Sequence, residues 1–211
     1  MISQFCREAY TDAAAVLAHL ENIGPCVDAL LADGIATLDE ISLHGPKAEL
    51  EKCKASMDAL GTVYYEIDQG ISWITKETGG IPMGQRLLTI QPTFTVQDWS
   101  KAEPIMAEFT DKTSKESNCI YYGWTRSGDK LFCREAYSSA NGVLEHLENV
   151  GPCVDKLLGD GIATLDRIEL HGPMGQVQPC KETMNGFGTI YYNVDSGFQK
   201  FEAVKLGGFM G

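Results

Sequence analysis

The chain has 211 residues, 17 of them basic and 29 acidic, for a formal charge of −12. That negative surplus opposes binding to phosphate backbones and anionic surfaces, so nucleic acid is not an expected partner. No apolar run approaches the length of a bilayer-spanning helix and no basic stretch leads into an apolar one, so neither a membrane span nor a secretory leader is expected.

In chain order the first feature is a duplication. Phe5–Asp68 and Phe132–Asp195 are identical at roughly 40 of 64 positions, with no gap and a constant offset of 127 residues, the mark of a tandem array. Glycine-rich stretches, 79–84 and 207–211, stand at matching places. Two units are therefore expected: residues 1–78, a partial copy lacking its first strand, helix and second strand, and residues 84–211, a complete one. The cysteines follow the repeat as Cys6/Cys133, Cys26/Cys153 and Cys53/Cys180, with Cys119 alone. An odd total of seven argues for a reducing, intracellular compartment over a disulfide framework. No CxxC spacing supports a zinc site.

In the complete unit, Arg86–Val96 mixes β-branched and apolar residues and predicts a strand, irregular or at a sheet edge around Pro92. Asp98 caps a helix that places Trp99, Ile105, Met106 and Phe109 on one face, with Pro104 inside it. Cys119–Arg126 and Leu131–Tyr137 form a hairpin across Ser127-Gly128-Asp129. Ser138 or Ser139 starts a helix carrying Val143, Leu144 and Leu147, predicted to stop at Gly151, where Pro152 opens a second helix. Ile162–His171 is a strand ending at Gly172-Pro173. A short helix near Lys181–Gly186 and a last strand, Gly188–Val194, complete the unit.

The order β-α-β-β-α-β plus one strand is the ferredoxin-like arrangement of an α+β fold. At the hairpin-to-helix junction a strand Glu, an aromatic two residues later, a helical His and a Pro beyond it occur as Glu135, Tyr137, His146 and Pro152, and again as Glu8, Tyr10, His19 and Pro25. In these residues the chain resembles the antibiotic biosynthesis monooxygenase (ABM) domains of the dimeric α+β barrel superfamily. The resemblance implies sheets paired face to face, as a homo-oligomer or between neighbouring units, and a pocket in which a flat aromatic or quinol is oxidised without a cofactor. The haem-degrading branch of that superfamily uses an Asn on its first strand, which LLTIQPTF lacks, so haem chemistry is disfavoured. In a ferredoxin-like sheet the strands retained by the partial copy are not neighbours. Their edges are expected to be covered by another chain or by the Leu87–Val96 region.

His146, with Glu135 on the neighbouring strand, reads as a general base oriented by a carboxylate, or as a structural bond tying helix to sheet. His171, closing a strand before Gly-Pro, is a candidate to bind or protonate a ligand, or to bond turn backbone. Tyr122, Trp124, Tyr137 and Tyr191 are candidates for an aromatic substrate pocket, or for core. Cys26 and Cys153, following Pro at a predicted helix start, have either a lowered pKa or the role of a small buried apolar residue. No glycine-rich phosphate loop, GxSxG or HExxH is present, so no nucleotide or flavin cofactor and no metal are expected. Two functions stand open: an ABM-like cofactor-independent monooxygenase or related small-molecule enzyme, and a non-catalytic module for assembly or ligand binding, as an accessory subunit of a larger complex.

Overall fold

The structure is a computed structural model that describes residue 6 and residues 8–72 and 87–194. It divides into two compact units, Met1–Ile67 and Asp68–Gly211. The glycine-rich stretches 79–84 and 207–211 lie outside the described residues.

In the first unit, Asp12 caps helix α1 (Ala13–Leu31), its Oδ1 accepting from Ala15 N at 2.9 Å. Strand β1 (Ser42–Gly45), helix α2 (Lys47–Met57) and strand β2 (Val63–Ser72) follow, with β1 parallel to β2 from Ser42↔Val63 to Gly45↔Glu66. Ala13, Cys53 and Met57 form a small core, with Val16, Leu20, Ile41, Leu43 and Tyr64 against it. The strand that the repeat predicts at Phe5–Tyr10 is not formed at the described residues Cys6 and Glu8–Tyr10.

Helix α1 also corrects the expectation that no segment could span a membrane. By length and composition its 19 residues pass, at a mean hydropathy of 1.2. Five of its first six residues are Ala or Val, which outweigh His19, Glu21 and Asp28 in the average.

The second unit carries strands β3 (Leu88–Val96), β4 (Cys119–Ser127), β5 (Lys130–Tyr137), β6 (Ala163–Gly172) and β7 (Ile190–Asn193) and helices α3 (Trp99–Thr113), α4 (Ala140–Leu158) and α5 (Met174–Asn185). Its strand order is β4-β5-β3-β6-β7, antiparallel except for β7, which runs parallel to β6. The first four strands reproduce the ferredoxin-like order. One sheet face, with Leu88, Ile90, Phe94, Tyr122, Trp124, Leu131 and Leu170, shares a core with Met106 and Phe109 of α3, Val143, Val150 and Leu157 of α4, and Val177 and Met184 of α5. Alternation along each strand sets which residues face the helices.

Several boundaries differ from the sequence expectations. Strand β3 is central, between β5 and β6, and Pro92 sits beside the register shift at Thr93/Phe94. The missing N–H is thus accommodated by an irregularity, not by an edge. Helix α4 does not stop at Gly151 but runs through Pro152. A residue before proline is pushed out of the helical region partly by its Cβ, and Gly151 has none. Burial of Val150, Cys153 and Leu157 then holds the two halves together. The same Gly-Pro pair passes through α1. Helix α5 starts at Met174, well before Lys181, because Pro173 stands at its N-cap and Val177, Cys180 and Met184 bury one stripe.

Candidate functional site

Strand β5 places Glu135 and Tyr137 on the helix-covered face, and α4 brings His146 over them. The helix begins where Ser139 Oγ accepts from Gly142 N at 3.2 Å. His146 Nε2 lies 3.3 Å from Glu135 Oε2, and the Tyr137 hydroxyl donates to that same oxygen at 2.6 Å. The other ring nitrogen, Nδ1, lies 3.1 Å from both carboxylate oxygens of Glu116, just beyond α3. Asn149 Nδ2 donates to Glu116 Oε1 at 2.7 Å. His146 and Glu135 are only 3% and 4% exposed, so this carboxylate–imidazole–carboxylate array is shielded from water.

With a carboxylate at each ring nitrogen, the doubly protonated imidazolium satisfies both. Burial alone would lower the His146 pKa, but the charges of Glu135 and Glu116 outweigh it and the net direction is up. Gross attraction between unit charges at this separation is on the order of 5 kcal/mol at an effective dielectric of about 20, which matches the cost of burying an ion. Glu135 is itself raised, because burial exceeds the help it receives from His146 and Tyr137. Burial also drives the Tyr122 and Tyr137 hydroxyls well above their ordinary values, so both stay neutral.

Glu135 and His146 of the array form the polar end of an apolar cavity of about 50 Å³. Tyr122 and Trp124 line it, with Ile90, Phe94 and Phe109 as apolar walls and the partly exposed Leu158 and Phe187 among the outer residues. Engineered apolar cavities that admit a benzene ring are about 150 Å³, so the cavity as it stands holds water-sized molecules.

The structure thus brings together His146, Glu135, Tyr122, Trp124 and Tyr137, with Tyr137 behind Glu135 and outside the lining. His171 is elsewhere: it stacks on Tyr192 at 4.6 Å, with Nε2 3.5 Å from Glu169 Oε2, and strand alternation puts it on the face opposite Leu170. Tyr191 ties β7 to α5, its hydroxyl donating to Asn185 Oδ1 at 2.7 Å. Glu116 and Asn149 were missed from sequence. Glu116 sits in the polar run TDKTSKES of the segment that occurs once, whereas Asn149 recurs as Asn22 and was detectable by the repeat. The lowered-pKa expectation for Cys153 is overturned: burial and its neighbour Glu108 raise the thiol. Cys153 is fully buried and Cys26 exposed. Among the described residues no group of three or more His, Cys, Asp or Glu is arranged to hold a metal.

The second unit is an α+β protein whose ferredoxin-like sheet carries helices and a buried acid–base array on one face. MupZ from Pseudomonas fluorescens resembles this chain at 29% identity and a TM-score of 0.52, over 57% of this chain and 93% of MupZ. SnoaB, a cofactor-independent oxygenase from Streptomyces nogalater, is a looser likeness at 15% identity and a TM-score of 0.37, over 41% of this chain and 91% of SnoaB. No family model and no curated protein matches the chain.

Proposed function

We propose that the second unit is an ABM-like enzyme acting on an apolar small molecule, and that the first is a partial tandem copy of it. The reading includes a cofactor-independent monooxygenase reaction on a flat aromatic or quinol. One observation carries it: a buried acid–base array, Glu135–His146–Glu116, opens onto an apolar cavity. Glu135, its pKa raised by burial, accepts a phenolic proton, while the His146 imidazolium stabilises the phenolate that forms. That electron-rich anion is the species that reacts with molecular oxygen. The dimeric barrel of the resembling family adds a homo-oligomer, or pairing of neighbouring units, to the proposal.

Oxygen uptake across a panel of substituted quinols, without added metal or flavin, tests the reading. Turnover that is lost in His146→Ala is expected. A second reading, a non-catalytic assembly module, is favoured by the small size of the cavity. Absence of both turnover and ring binding would leave that one in place.

A further inference from the structure

Trp124 lines the cavity and is 1% exposed, and its Nε1–H meets no hydrogen-bond acceptor among the described residues. Around the indole stand the rings of Tyr122 at 5.7 Å and Phe109 at 5.5 Å, both edge-to-face, offering aromatic surface in place of an oxygen. Buried indole N–H groups ordinarily find a partner, and phenylalanine would fill a wholly apolar position without leaving a donor unmet. Glu135 and His146 stand at the polar end, and counted with Glu116 on the other ring nitrogen of His146 the three groups sum to −1, or to zero when Glu135 is protonated. Among the described residues no lysine or arginine lines the cavity to offset them. An anionic ligand is thereby disfavoured.

We propose that Trp124 Nε1–H is the donor that seats the substrate, and that the cavity selects an uncharged, flat apolar molecule bearing an acceptor oxygen such as a quinone or ketone carbonyl. This rests on the small-molecule reading of the same cavity. Seating a ring requires the 50 Å³ cavity to widen, and the acceptor oxygen then fixes the ring against Trp124 while the rest of the molecule lies toward Glu135 and His146. Trp124 is a positioning residue and takes no part in proton transfer.

The test pairs menadione with 2-methylnaphthalene, which has the same carbon skeleton and no carbonyl. The full chain is expected to bind menadione at least about tenfold more tightly, the equivalent of one buried hydrogen bond. In Trp124→Phe that preference should vanish, while 2-methylnaphthalene binding is retained. In the ¹⁵N-labelled protein, the Trp124 indole proton should move downfield when menadione is added. Should the phenylalanine variant not fold, Trp73→Phe and Trp99→Phe identify the Trp124 signal by elimination. Menadione binding with an unmoved indole signal, or with the preference intact in Trp124→Phe, overturns the role of Trp124 alone. Binding of neither probe overturns the small-molecule reading along with it.

Discussion

The two copies of one motif, Glu8–Tyr10–His19 and Glu135–Tyr137–His146, make similar bonds in different surroundings. In each the tyrosine donates to the glutamate, at 2.5 Å and 2.6 Å, and a histidine Nε2 stands at 3.1 Å or 3.3 Å from the same oxygen. Exposure separates them: the His and Glu side chains are 27% and 37% exposed in the first unit against 4% and 6% in the second. The glutamate responds with opposite sign. For Glu8, burial is outweighed by hydrogen bonds from Tyr10 and Cys6 and by His19, and its pKa is lowered. For Glu135, burial wins and the pKa is raised. The same tyrosine and histidine contacts thus leave one carboxylate below its ordinary pKa and the other above it, and the difference lies in what covers them.

The largest expected effect comes from removing that glutamate. Glu135→Ala takes one of two carboxylates from a buried imidazolium and should cost the second unit about 3 kcal/mol, against less than about 1 kcal/mol for Glu8→Ala in the first. In a Trp73→Phe background, tryptophan fluorescence reports the second unit, because Trp99 and Trp124 lie within it. Equal losses in the two units would break the comparison.

Next is a residue at which the copies differ. A Cβ at Gly142 would stand 2.6 Å from Asn118 Cβ, whereas the matching position in α1 is Ala15. Asn118 belongs to the segment that occurs once, so only the second copy needs the glycine. Gly142→Ala should cost the second unit about 1–3 kcal/mol by overpacking, and Ala15→Gly should cost the first about 1 kcal/mol of helix propensity. Denaturant unfolding and amide exchange in α1 read the two.

The pH dependence carries a smaller effect. His146 is raised, so its contribution is complete below the unfolded value of about 6.5 and is lost as pH rises through the folded one. Glu135 is also raised, and its contribution likewise falls with rising pH from about 4.3 upward. Glu8 is lowered, so it stabilises above about 4.3 and that contribution is lost as pH falls through its folded value. Smallest is Glu116→Gln, expected to bring the His146 titration down toward its ordinary range in an NMR pH series. An unmoved titration would mean that Glu135 alone raises it.

Much of this was legible in the sequence because hydrophobic periodicity and repetition are local signals. The strand order and the Glu135–His146 proximity followed from the alternation in LFCREAY and a helix whose histidine recurs at a fixed offset. The passage of α4 through Pro152 was not legible, since it depends on glycine at 151 and on burial that only the packed sheet supplies. Glu116 was hidden in a charged stretch resembling any solvated helix end, and nothing in one chain's composition marks a carboxylate that folds back onto a ring two elements away. The orphaned indole of Trp124 is likewise a property of packing.

The Gly151-Pro152 step has a further consequence, for motion. Proline has no N–H to offer the Glu148 carbonyl, so the ladder of α4 is interrupted between the half that holds His146 and the half that carries Val154 and Leu158. Those two residues belong to the cavity lining, whereas His146 is anchored on the other side of the break. Opening the final turns would therefore widen the cavity toward ring size and leave the Glu135–His146 spacing intact. Amides from Cys153 to Leu158 should exchange with solvent by local opening at a lower free energy than those from Val143 to Val150.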